Sequence, residues 1–300
     1  MKYFFSVMVA LICYAAQSTD LSLKLKVGET YTQNYVSDVE MNQSINGMDQ
    51  VIKMKVESGM NFTVREATDK GYRMGVAYSK LVMDMSLPTG EMVFSSESDA
   101  EDLVTAIMKG LVGKEFEVTI LKNGSISEVK NMDAIFTGMA ASFPNVPEAQ
   151  KEQVMAQLRK SYGENAFKGN IEMITAIFPD KDVNIGDSWK NTVKMESGFN
   201  GMVSNQFTLE EITSDQIVVK GDSQLNTQKE STVVNGGMPT KYDLSGTMKS
   251  SYTLDPVTNW IVSGSVSQDI SGTISIEDNP NLPGGISFPM TMVSTLTIGQ

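Results

Sequence analysis

The residues best placed for chemistry lie in Pro179-Asp180-Lys181-Asp182-Val183-Asn184-Ile185-Gly186-Asp187-Ser188-Trp189, where Asp180, Asp182 and Asn184 alternate ahead of Gly186. Alternating oxygen donors before a glycine are how a calcium loop begins, because a hard cation takes carboxylate and carbonyl oxygens and the glycine allows a sharp turn. The spacing departs from that loop twice. Glycine belongs at the sixth position, which Ile185 holds, and the glutamate that closes the cage belongs at the twelfth, which is Asn191. Asp180, Asp182 and Asn184 stand as the metal candidate, against a preferred reading as a solvated turn whose Asx side chains bond nearby backbone.

Other chemistry is restricted by composition. The 300 residues contain no histidine and one cysteine, Cys13. That removes the commonest general base, the orienting member of a Ser–His–Asp triad and the usual ligands of zinc and copper. No Walker-type glycine loop and no dinucleotide fingerprint occurs, so no cofactor is expected. Asn235-Gly236-Gly237 reads as a hairpin turn. A carboxylate-dependent hydrolase needs only two acids across a cleft. The adjacent pairs Glu101-Asp102 and Glu210-Glu211 are poor candidates, since neighbours along a helix or strand point apart. The sequence is expected to be non-enzymatic.

Methionine is in excess, with 21 residues. Its flexible, polarisable side chain suits adaptable apolar surfaces. Met54, Met60, Met74, Met83, Met85, Met92, Met290 and Met292 all fall in strand-like segments. They could line a concavity, but the alternation that makes these positions apolar also turns them inward, so filling an ordinary core is the preferred expectation. Trp189, Trp260 and Tyr31 are read as anchors of strand starts and hairpins rather than sugar-stacking platforms.

The elements that would position these residues are mainly strands. In Ile52-Lys53-Met54-Lys55-Val56-Glu57 and onward through Met60-Asn61-Phe62-Thr63-Val64-Arg65, apolar and polar residues alternate. One dry and one wet face is the mark of an antiparallel sheet. The pattern recurs at Tyr72–Tyr78, Phe116–Ile120, Tyr242–Met248 and Phe288–Ile298. Helices are predicted in the middle of the chain. One follows a capping box at Ser98-Asp99-Ala100-Glu101, with Gly110 or Gly113 as its stop; a short one covers Asn131–Ala141; another starts near Pro147 and ends at Gly163; a last one covers Ala166–Phe178.

The chain also echoes itself. Lys26-Val27-Gly28-Glu29-Thr30-Tyr31 matches Asn184–Trp189 in chemical type, Phe62–Asp69 matches Phe207–Ser214, and the hairpin around Lys122–Ile126 matches that around Val257–Ile261, in the same order. Two β-rich repeats follow, 20–131 with one helix and 180–300, joined by a helical connector over 132–179. Gly186 is then the partner of Gly28, a turn glycine leading into a first strand.

Lys2, the apolar run Tyr3–Tyr14 and the pair Ala15-Ala16 read as an export signal over residues 1–16. Cys13 could accept lipid, but the branched Ile12 before it departs from a lipobox, and cleavage near Ala15 fits better. The expected location is the periplasm or cell surface. Removing Lys2 from 24 basic against 36 acidic residues leaves a formal charge of −13, which repels nucleic acid. No later apolar run reaches membrane-spanning length.

Leu23-Lys24-Leu25-Lys26-Val27-Gly28-Glu29-Thr30-Tyr31 after an export signal, Tyr162-Gly163-Glu164, Phe178-Pro179 and Val183–Trp189 together resemble an uncharacterised family of exported proteins of Bacteroidota. The resemblance implies export and assigns no catalytic residue. The expected fold is α+β, predominantly antiparallel β, with curved sheet built from the two repeats. The expected role is an envelope protein that binds an unknown partner or contributes structurally. The alternative is a periplasmic carrier of a lipid or other apolar ligand, held between sheet and helices.

Overall fold

The computed structural model describes residues 18–100, 102–141, 163–197, 199–235, 237–280 and 282–300, with positions 148, 152, 155, 156 and 159 between them. The export signal and Cys13 lie outside the described residues, as does most of the helix expected after Pro147. Its described positions are helical, and Met155 among them is buried.

Alternation of apolar and polar side chains gives strands wherever it was expected. They are β1 (Thr30–Ile45), β2 (Met48–Ala67), β3 (Gly71–Leu87), β4 (Gly90–Ser95), β5 (Phe116–Leu121), β6 (Ile126–Lys130), β7 (Ser188–Ser197), β8 (Phe199–Ile212), β9 (Ile217–Thr227), β10 (Thr232–Asn235), β11 (Met238–Leu254), β12 (Ile261–Ile276) and β13 (Ile286–Gly299). All belong to one antiparallel sheet in the order β6-β5-β3-β2-β1-β13-β12-β11-β9-β8-β7, with β4 added to the edge of β3 and β10 to that of β11. The helices are α1 (Leu103–Leu111), α2 (Met132–Ala141) and α3 (Glu164–Thr175).

The two ends of this path, β6 and β7, do not pair with each other. Helix α3 spans between them. On the β6 side Thr175 Oγ1 donates to Gly124 O at 2.7 Å, and Glu172 Oε1 accepts from Ile126 N at 2.6 Å. Burial holds the Glu172 carboxyl above its ordinary pKa. On the β7 side Trp189 Nε1 donates to Ile177 O at 2.9 Å, just beyond the helix. The lower end is crossed by residues 19–25. Thr19 pairs with Val183, Leu23 N donates to Lys122 O at 2.9 Å, Lys24 N donates to Thr258 O at 2.9 Å, and Leu21, Leu23 and Leu25 are buried.

The core beneath α3 and this segment is solid. Trp260, Tyr252, Phe62, Phe136, Met60, Met74 and Ile177 are essentially inaccessible, and Phe62 meets the Trp260 ring edge-on with centroids 5.4 Å apart. Gln33 is fully buried among them, and its amide is satisfied by donating to Ile261 O at 3.0 Å while accepting from the Tyr35 hydroxyl. Outward positions on β12 and β13 are mostly polar, Val293 excepted: Ser263, Ser265, Ser267, Ser271 and Thr273 on β12, Thr291, Thr295 and Thr297 on β13. A membrane-spanning barrel has the reverse arrangement, with its apolar band facing out.

The segments paired by sequence share local geometry. Gly28 and Gly186 have φ of +89° and +91°. Gly28 N donates to Val64 O as Gly186 N donates to Leu209 O, and Val64 N and Leu209 N return bonds to Glu29 O and Asp187 O. A register shift follows both Val64 and Leu209. The hydroxyl pairs Thr30–Thr63 and Ser188–Thr208 stand at 2.9 and 2.8 Å.

The first helix starts later than the capping box implied. Ser98 Oγ accepts from Ala100 N, a local turn, whereas Asp102 is the N-cap, with its carboxylate accepting from Thr105 N at 2.9 Å. An aspartate cap both bonds an orphan amide and meets the positive end of the helix, which is why it wins over the serine four residues earlier. The last helix also differs, running over Glu164–Thr175 and ending before Phe178. Asp102→Ala is expected to destabilise the protein by about 1 kcal/mol in denaturant unfolding, and Ser98→Ala by less than about 0.5 kcal/mol. Equal effects would mean that the helix starts elsewhere.

Candidate functional site

The acidic stretch that opened the search is a turn. Asn184 N donates to Asp187 Oδ2 at 2.8 Å, and Asp187 N returns a bond to Asn184 O at 2.9 Å. Asp180 Oδ1 accepts from Asn123 Nδ2 at 3.1 Å, which ties the turn to the β5–β6 hairpin. Asp180 and Asp182 line a shallow polar cleft with Asp20, Lys70, Lys122 and Lys181, so lysines sit where a cation would bind. Among the described residues, no three histidine, cysteine, aspartate or glutamate side chains are grouped to hold a metal ion.

Of the acidic pairs, Glu101 lies outside the described residues, and the other three carboxylates have partners. Glu210 pairs with Lys220 at 3.2 Å on the outer face, Glu211 accepts from Gln216, and Asp102 is the helix cap. The buried phenols Tyr78 and Tyr252 are pushed up to about 12 by desolvation, which leaves them neutral rather than basic at ordinary pH. Trp189 and Trp260 are buried and Tyr31 half-buried against Trp260, so all three anchor structure as expected.

The surface that remains is the arm formed by the upper halves of β1, β2, β3 and β4. Here the sequence-level expectation that methionines fill the core holds only in part. Met60, Met74 and Met290 are buried. Met54, Met83, Met85 and Met292 are half-buried, and Met92 is 40% exposed. The reason is topological, since the hairpins of β1–β2 and β3–β4 extend past the level that α3 and the 19–25 segment cover.

Strand register places the inward residues of the arm in rows. Met92, Met85, Met54 and Val39 lie opposite one another on β4, β3, β2 and β1. The next row is Phe94, Met83, Val56 and Ser37. None of these eight is charged, and Met41 and Ile52 continue the apolar surface. Successive residues of a strand face opposite ways, so the residues between them point outward.

That outward face is different. Two ladders, Glu91-Ser86-Lys53-Glu40-Val293 and Val93-Asp84-Lys55-Asp38-Thr295, flank a cleft of about 540 Å3 that crosses the strands. Lys53 pairs with Glu40 at 3.2 Å. Glu57, held below its ordinary pKa by hydrogen bonds from Lys55 and Lys80, pairs with them at 2.9 and 3.1 Å. These are exposed pairs and contribute little to stability. The cleft is charged along both ladders, and Met54, Met85 and Met92 line it between them. The carrier reading, with a ligand enclosed between sheet and helices, meets an occupied space below, filled by Trp260, Tyr252 and Phe136. The signal for the arm was present in the sequence as the length of β2 and β3, but length alone does not say which part of a strand is covered.

The sequence matches, over residues 69–261, a family described as a family of unknown function, DUF6263. No curated protein matches it. Among solved structures, it resembles an outer membrane channel from Pseudomonas putida F1 at 8% identity and TM-score 0.26, covering 92% of this chain and 97% of that one. It also resembles a DUF1329 family protein from Desulfovibrio piger (9% identity, 89% and 85% covered, TM-score 0.13) and OmpT, an outer membrane protein of Vibrio cholerae (6% identity, 92% and 99% covered, TM-score 0.16). Likenesses at these scores carry no inference about fold or role. Among the described residues, no helix is long and apolar enough to cross a membrane.

Calcium or a chelator such as EGTA is expected to leave the melting temperature unchanged, because Asn184 and Asp187 close the turn on each other and Asp180 accepts from Asn123. A calcium-dependent rise that Asp182→Asn abolishes would reinstate the site.

Proposed function

The chain belongs to DUF6263, a family of unknown function, and we propose that it is a non-catalytic binding protein of the cell envelope that takes a flexible apolar ligand on the inward face of the β1–β4 arm. The observation that carries this reading is the half-open, uncharged row Met92-Met85-Met54-Val39 with Met83, Val56 and Phe94 beside it. Elsewhere the inward face is largely closed. Methionine adapts its shape to what it meets, which suits an acyl chain better than a rigid ring. No charged side chain in these rows offers a partner to a charged headgroup.

Location in the periplasm or at the cell surface is inferred from the signal pattern of residues 1–16. The lack of histidine supports a non-catalytic role, with a carboxylate-dependent hydrolase as the less favoured reading. We infer too that 20–131 and 180–300 are copies of one unit joined by 132–179. The shared glycine turns, register shifts and hydroxyl pairs support that duplication.

Titration with cis-parinaric acid, an apolar chain whose fluorescence rises on burial, is expected to show saturable binding. Met85→Asp should weaken it at least about tenfold, corresponding to about 1.4 kcal/mol, while Met85→Leu leaves it nearly unchanged. Absence of saturable binding, or equal binding by the aspartate variant with its circular dichroism intact, would overturn the reading.

A further inference from the structure

Three thioethers stand side by side on consecutive strands of the arm. Met54 is directly opposite Met85 in the β2–β3 ladder, and Met85 is directly opposite Met92 in the β3–β4 ladder. All three side chains leave the same face of the sheet. Opposed Cβ atoms in an antiparallel pair are about 4.5–5.5 Å apart, and each methionine has three rotatable bonds beyond the backbone, so three sulfurs on adjacent strands can converge on a single point. The row is reachable from solvent, since Met54 and Met85 are half-buried and Met92 is 40% exposed.

We propose that Met54, Met85 and Met92 form a binding site for a soft monovalent cation, Cu(I) or Ag(I), held by three neutral sulfur ligands. Thioethers select soft ions and bind hard or borderline ones poorly. No imidazole competes for such an ion, and the one cysteine, Cys13, belongs to the predicted signal. A protein with this composition has no nitrogen or thiolate set for Zn(II) or Cu(II) but does have a thioether set. The surroundings also suit a singly charged ion. Val39, Val56, Met83 and Phe94 provide an apolar rim, which disfavours a doubly charged ion that keeps its water. The site does not depend on acyl-chain binding to the same face, because the two respond differently to leucine: leucine preserves an apolar surface of similar volume and removes the sulfur.

The test uses Ag(I), which needs no reductant, in a nitrate buffer free of chloride and thiols. Native mass spectrometry of the purified protein is expected to give one Ag(I) per chain and no Zn(II) adduct under the same conditions. With 13C-methyl-methionine labelling, the methyl resonances of Met54, Met85 and Met92 should shift together and saturate at one equivalent, while those of the buried Met60 and Met74 stay in place. The Met54→Leu/Met85→Leu/Met92→Leu variant should lose the adduct and keep its melting temperature within a few degrees. Three results would overturn the site: no stoichiometric silver complex, resonance shifts centred on other methionines, or undiminished uptake by the triple variant. The labelling result maps the site in the unaltered protein, so it decides the matter even if the variant folds poorly.

Discussion

The pairing of the first strand with the last is the contact on which the rest of the molecule depends. From Asn34 opposite Gly299 to Gln43 opposite Met290, β1 and β13 form an uninterrupted ladder between residues that are most of the chain apart. Closing so long a loop costs entropy before any contact repays it. In return, the six strands before the connector and the seven after it become one sheet. Without this seam each set would present an apolar face with no continuous partner. With it, the inward residues of both sets share a single interior, and α3 has two strand ends, β6 and β7, to bridge.

That shared interior gives the protein one continuous core to bury. Its lower level is packed with large side chains, and although the Trp260 Nε1–H has no partner among the described residues, several buried polar groups there do: Gln33 bonds Ile261, Trp189 bonds Ile177, and Tyr72 donates to Leu23 O while accepting from Leu25 N. Fully satisfied polar groups of this kind fix one arrangement of a core, since any slip would leave a donor buried and unpaired. The 19–25 segment gains its place in the same way, through three buried leucines and backbone bonds to three separate parts of the sheet. The upper level lacks such a cover. The two faces of the arm therefore diverge, charged ladders outside and uncharged thioethers inside, and the arm is where the molecule has chemistry to offer.

Much of the fold was legible because a period of two leaves a direct trace. The alternation at Ile52–Val64, Tyr72–Tyr78 and Phe288–Ile298 specified strands and their inward sides, and the structure places those side chains as expected. Gly28 and Gly186 were recognisable as turn glycines because their flanks match, and both adopt positive φ. Other features leave no such trace. Ser98 and Asp102 are both good caps, and the choice of the aspartate, whose charge also meets the positive end of the helix, is not marked by the capping-box pattern. The methionines show the limit most clearly. Met74 and Met85 carry the same local pattern on the same strand, yet one is buried and the other half-open. Parity gives the side of the sheet, but cover comes from distant elements. The row Met54-Met85-Met92 depends on register across two hairpins, which the spacing of methionines along the chain does not reveal.

The division of the inward face into a covered and an uncovered level is tested most directly by methionine oxidation footprinting. Brief exposure of the native protein to dilute hydrogen peroxide, followed by peptide mass spectrometry, ranks each thioether by its access to solvent. The structure predicts that Met92, Met85 and Met54 oxidise early, and that Met74 and Met60, at 0% and 2% exposure, resist until the protein unfolds. Oxidation of Met74 or Met60 at the rate of Met85 in the folded protein would contradict the account.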